Sequence, residues 1–125
     1  MQELTLEELQ QVSLDILKDV HSFCEANQIQ YSIAYGTLIG ALRHKGFIPW
    51  DDDVDIVMPR PDFERFCKTY HSDHGMRLIY YGNDKFALAA FARVCVRKNR
   101  LPNRKTLDYT KIRCLDRYFP FRRCC

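Results

Sequence analysis

No stretch of the chain approaches the roughly 18 consecutive apolar residues that a membrane-crossing helix needs. The first residues, Met1 to Thr5, carry neither the basic start nor the apolar block of a secretory signal. Neither membrane spanning nor export is expected, and the expected compartment is the cytoplasm. The 6 cysteines include no C-x-x-C pair and are irregularly spaced, which fits neither a disulfide framework nor a zinc knuckle. Reduced thiols are the expectation. Repeats and low-complexity tracts are missing too, which argues against a solenoid or a disordered segment. A basic stripe interleaved with aromatics, the mark of a nucleic-acid surface, is also lacking. The net charge of +3 resides in Arg113, Arg117, Arg122 and Arg123 set against Asp116, so residues 1–112 sum to zero. No nucleic-acid partner is expected.

What is present reads as one ordinary globular domain: 125 residues, 46% apolar and 28% charged. Thr5 and Glu8 have the spacing of a capping box. Leu9, Val12, Ile16, Leu17, Val20, Phe23 and Cys24 then recur at helical intervals, which predicts an amphipathic helix as far as Asn27. Tyr31 to Ala34 is a short β-prone run before Gly36, and Thr37 to Arg43 reads as a short helix. Lys45 and Gly46 make a turn. Val54 to Met58 reads as a buried strand stopped by Pro59 and Pro61. Phe63, Phe66 and Cys67 predict a helix from Pro61 to about Tyr70. Met76 to Tyr81 is a further strand, and the apolar stretch from Phe86 to Val96 has room for another. From Lys98 onward the composition predicts a loop.

The chemistry is concentrated in four acids within five positions, Asp51, Asp52, Asp53 and Asp55. Such a group repels itself unless a cation stands among its members. Because side chains alternate along a strand, Asp53 and Asp55 share one face while Val54 and Ile56 enter the core. Two carboxylates on one rigid face make a hard oxygen site suited to Mg²⁺ or Mn²⁺. An EF-hand calcium loop needs glycine at its sixth position, where this chain has Ile56. Upstream, Gly36 and Thr37 stand at a helix start, where free N–H groups and the positive dipole end hold phosphate. Trp50 is expected to pack against the neighbouring helix, and His44 to be structural.

The stretch Gly36-Thr37-Leu38-Ile39-Gly40-Ala41-Leu42-Arg43-His44-Lys45-Gly46-Phe47-Ile48-Pro49-Trp50-Asp51-Asp52-Asp53-Val54-Asp55-Ile56 resembles the signature of the LicD family nearly residue for residue. The resemblance extends over about Leu6 to Tyr109. It implies an α+β nucleotidyltransferase fold of the polymerase-beta type, here incomplete, with a mixed sheet flanked by helices. It further implies transfer of a phospho-alcohol such as phosphocholine from a nucleotide-diphosphate donor, such as CDP-choline, to a cell-surface glycan acceptor such as lipopolysaccharide or teichoic acid. Fukutin and fukutin-related protein are animal relatives. By position, Asp53 and Asp55 would be the catalytic metal ligands, Gly36 and Thr37 would face the donor pyrophosphate, and Arg43 and Lys45 would contact its phosphates. Two other functions compete. One is a non-catalytic remnant that at most binds nucleotide and metal. The other is a toxin-like nucleotidyltransferase, against which the lead-in Pro49-Trp50-Asp51-Asp52-Asp53 argues.

The family resemblance also implies a third acid, within a motif like Trp-Ile-Asp-Ile-Phe-Pro-Leu-Asp-Gly, that this chain does not contain. Reading the codons of Arg113 to Cys125 one nucleotide later, with Leu115 as TTG, Arg117 as CGA, Pro120 as CCC and Arg122 as AGA, yields Gly-Val-Trp-Ile-Asp-Ile-Phe-Pro-Leu-Asp-Gly-Val. The expectation is a partial domain over residues 1–112 and an out-of-frame tail over residues 113–125. That tail should be poorly ordered and removable. The sheet should be left with an open edge where the lost strand belongs.

Overall fold

Thr5 caps the first helix, α1 (Leu6–Asn27), as the sequence predicts: its hydroxyl accepts from the Glu8 N–H at 3.2 Å, and its own N–H donates to Glu8 Oε2 at 2.7 Å. The computed structural model of the chain describes residues 5–80, 82, 91–96 and 109–115. After α1 come β1 (Ser32–Ile33), α2 (Tyr35–Arg43), β2 (Val54–Pro59), α3 (Arg60–Thr69), β3 (Met76–Ile79), β4 (Phe91–Val96) and β5 (Tyr109–Leu115). The five strands form one sheet in the order β1-β2-β5-β4-β3. β2 and β5 run parallel, and the other three pairs are antiparallel. The result is an α+β arrangement with a mixed sheet flanked by helices, as expected.

The period of two in β2 sorts its side chains cleanly. Val54, Ile56 and Met58 are buried, while Asp55, Val57 and Pro59 remain partly exposed. The buried set meets Ile16, Val20, Phe23 and Cys24 of α1, Phe63 and Phe66 of α3, and Val94 and Ile112 of the inner strands. Between the two long helices, Phe23, Phe66 and Tyr70 pack ring on ring, with centroids 4.7–5.7 Å apart. Tyr70 donates its hydroxyl to Asp19 of α1 at 2.5 Å, and His74 meets the same carboxylate at 2.8 Å. This fastens the chain after α3 to α1. Cys24, Cys67 and Cys95 are buried and in no disulfide, and burial pushes the Cys24 thiol up to about 12. Among the described residues no helix is long and apolar enough to cross a membrane.

Two sequence expectations are corrected. The loop expected from Lys98 onward contains β5, and β5 is an interior strand: it pairs with β2 from Val54↔Thr110 to Pro59↔Leu115 and with β4 on its other side. β5 therefore covers one whole side of β2, and among the described residues the edge strands are β1 and β3. The strand escaped notice because its first core position is filled by Thr110, fully buried beside Ile112. A polar residue at an inward position blurs an alternation that Ile112 alone makes legible. The boundary expected between residues 112 and 113 falls inside β5, which includes Arg113, Cys114 and Leu115. Residues 116–125 lie outside the described residues, as do most of the stretch from Phe86 to Val96 before Phe91 and the end of the strand expected to reach Tyr81.

Candidate active site

β1 is only two residues long, so it stops before it can pair with the start of β2. The chain turns at Ala34, whose N–H still donates to the Asp55 carbonyl at 3.0 Å, and enters α2. The Asp55 N–H, left without a strand partner there, donates to Thr37 Oγ1 at 2.8 Å. Thr37 thus joins the first turn of α2 to the strand that carries the acids. Its hydroxyl proton remains available to an acceptor. Ala34 provides no side-chain cap for the first N–H groups of α2.

The acids arrive on a tight turn in which the Asp51 N–H donates to the Ile48 carbonyl at 2.9 Å. Asp51 accepts from the Asp52 N–H at 3.1 Å, and its other oxygen rests against Gly36. A Cβ at Gly36 would stand 2.7 Å from that oxygen, so a side chain there would displace the Asp51 carboxylate. Asp51, Asp52 and Asp53 each offer a carboxylate oxygen within 4.8 Å of the others. Burial raises the Asp51 carboxyl above the usual range, as does its hydrogen bond with Asp53. Burial, and then the charge of Asp53, also raise Asp55, while Lys111 and Arg113 pull it down.

Asp55 Oδ1 is buried and has no hydrogen-bond partner among the described residues. An orphaned buried acceptor beside three clustered carboxylates, all hard oxygen donors, fits a divalent cation. Sequence reasoning chose Asp53 and Asp55. The structure draws Asp53 into a group with Asp51 and Asp52, and keeps Asp55 outside that group, two residues further on within β2.

Two residues that the sequence reading passed over hold this turn in place. Gln10 Nε2 donates to the Asp51 carbonyl at 2.8 Å, and Ser13 Oγ donates to the Asp52 carbonyl at 2.7 Å. Ser13 is fully buried. The signal was available: Ser13 sits three residues before Ile16, on the apolar stripe of α1, where a polar side chain needs a partner. Replacing Ser13 with Ala is expected to lower stability by about 1–2 kcal/mol, the cost of an unmatched carbonyl. Urea unfolding followed by circular dichroism measures it, and an unchanged midpoint would mean that the bond contributes nothing.

Not every expected residue joins the site. Arg43 and Lys45 are exposed at the far end of α2, about 10 Å along the helix axis from Gly36. His44 is exposed and donates its N–H to the Gly40 carbonyl. Trp50 does not pack against a helix as expected: it is 77% exposed, next to an exposed Pro49. Gly40 has a role that was not foreseen. The backbone of Gly46 to Ile48 crosses so close that a Cβ on Gly40 would lie 2.4 Å from the Gly46 carbonyl oxygen. That crossing returns the chain from the end of α2 to the acidic turn.

On β5, the register sets Lys111 beside Asp55. Lys111 Nζ lies 2.6 Å from Asp53 Oδ2, and the Arg113 guanidinium stacks 4.6 Å over the Tyr35 ring at the start of α2. The family model described as LicD/FKTN/FKRP, nucleotidyltransferase domain, matches residues 28–112, which includes α2, the acidic turn and β2. The chain belongs to this family. It is 52% identical over 73 residues to the lipopolysaccharide cholinephosphotransferase LicD of Haemophilus influenzae, covering 58% of this chain and 28% of that protein. An uncharacterized protein of Rickettsia prowazekii is 49% identical over 47 residues, 38% of this chain and 18% of that protein. The chain thus spans less than a third of the length of these relatives. Both residues that steady the LicD acidic turn from α1, Gln10 and Ser13, lie before the matched stretch.

Proposed function

We propose that this LicD-family chain is part of a transferase that moves a phospho-alcohol, phosphocholine first among them, from a nucleotide-diphosphate donor such as CDP-choline to a sugar hydroxyl of a cell-surface glycan such as lipopolysaccharide. The observation that carries the reading is the seating of the acidic turn and Asp55 directly against the first turn of α2, through Asp51 at Gly36 and Thr37 at the Asp55 N–H. A phosphate-holding helix start and a cation-holding carboxylate group are then within one side chain of each other. The nucleotidyltransferase fold and a cytoplasmic location belong to the same proposal, the second supported by the buried cysteines that are in no disulfide.

In this reading Gly36 and Thr37 receive the donor pyrophosphate on backbone N–H groups and the Thr37 hydroxyl. Asp53 and Asp55 would hold Mg²⁺ or Mn²⁺, which when bound neutralises charge on the departing phosphate. Gln10 and Ser13 keep the carbonyls of Asp51 and Asp52 fixed, so the carboxylates need not reorganise. A second reading, a remnant that binds nucleotide and metal without turnover, is favoured by one observation. The strand beside β2 contributes Lys111 and Arg113 at the positions facing the site, and no carboxylate. The out-of-frame origin of residues 113–125 remains part of this second proposal.

The metal reading is tested by titrating the chain with Mn²⁺ and following water-proton relaxation. Weak but saturable binding is expected, and it should disappear in the Asp53→Ala, Asp55→Ala double variant. Equal signals from the two proteins would remove the acidic turn from consideration as a metal site.

A further inference from the structure

Asp53 is claimed twice: its carboxylate belongs to the cluster with Asp51 and Asp52, and one of its oxygens, Oδ2, is held by the Lys111 ammonium at 2.6 Å. We propose that Lys111 is a tethered counter-ion of the acidic turn, occupying Asp53 until a divalent cation displaces it, and so sets the affinity of the site for metal. This rests on the reading of the turn as a metal site and adds to it the group that competes there.

The geometry makes Lys111 a competitor rather than a bystander. Its backbone belongs to an interior strand paired on both sides, opposite Asp55 in one direction and Arg93 in the other. Its Cα is therefore held, and only the four-carbon stem can carry the ammonium away from Asp53. Side-chain exposures of 28% for Lys111 and 22% for Asp53 leave the pair partly shielded from water, where charges act more strongly than on an open surface. The ammonium supplies donors only and cannot share in coordinating a metal. An incoming cation must break the contact with Asp53 Oδ2 and then meets a positive charge close by. Arg113, the neighbouring cation on the same face, stacks on Tyr35 and acts on Asp55 through its charge.

The test measures Mn²⁺ affinity by electron paramagnetic resonance for the full chain, Lys111→Met and Lys111→Arg, with thermal melts in parallel. The Met variant keeps the stem and removes the charge, and is expected to bind Mn²⁺ about tenfold more tightly. The Arg variant keeps the charge and is expected to stay within about twofold of the unmodified chain. Adding Asp53→Asn to Lys111→Met should abolish the gain, since the two groups act on each other. Mn²⁺ binding in every chain without a gain for Lys111→Met would overturn the counter-ion role and leave the metal site standing. Absence of binding in all of them would overturn both. If the Met variant does not fold, the unmodified chain still decides: the Lys111 side-chain NMR signals must shift as Mg²⁺ is added, and signals that stay in place at saturation would overturn the proposal.

Discussion

A chain ended at Lys111 is expected to lose its cooperative unfolding transition, or to melt more than about 10 °C below the 125-residue chain. The cut removes Ile112, which is fully buried, and the second half of the strand that joins β2 to β4. Loss of a buried Ile side chain alone costs about 2–5 kcal/mol, against a total stability of about 5–15 kcal/mol for a domain. The pairs Ile56↔Ile112 to Pro59↔Leu115 on one side, and Ala92↔Ile112 and Phe91↔Arg113 on the other, would go as well. A chain ended at Leu115 keeps all of these and is expected to melt with the full chain. Thermal melts and limited proteolysis of the two truncations decide it. Equal melting of the Lys111 truncation and the full chain would mean that β5 adds nothing to the fold. On the expected outcome, the removable segment expected from the sequence would begin no earlier than residue 116.

The 125-residue chain is expected to turn over CDP-choline at least about 10²–10⁴-fold more slowly than a chain whose frame is restored after Ile112 to read Gly-Val-Trp-Ile-Asp-Ile-Phe-Pro-Leu-Asp-Gly-Val. That range is what loss of one positioned general base typically costs. The strand beside β2 presents a lysine and an arginine in this chain, and neither accepts the proton of an attacking hydroxyl while charged. Radiolabelled choline transferred to a glycan acceptor provides the measurement. Rapid turnover by the short chain would place the missing carboxylate within the acidic turn itself, with Asp51 the first to examine.

Much of this was legible residue by residue. Thr5 and Glu8 announced the start of α1, the acid-apolar alternation from Asp53 to Ile56 announced which face of β2 carries charge, and Phe63, Phe66 and Cys67 announced the buried side of α3. These features are local: a residue's position within a period of 2 or 3.6 sets which face it occupies, and the apolar face must find a core. The family signature is local in the same sense, being one continuous stretch around α2 and β2.

The sequence by itself thus determined the elements from α1 to β3, the face on which the acids stand and the family, while β5 was legible only in the sheet. Only the tertiary structure decided who supports and who opposes those acids. Gln10 and Ser13 reach the acidic turn across 41 and 39 positions, Thr37 meets the Asp55 N–H across 18, and Lys111 reaches Asp53 only because β5 inserts between β2 and β4. Contacts at such separations depend on strand order and on helix packing over the sheet. Periodicity records which side of an element is apolar, and it carries no information on which other element will cover that side.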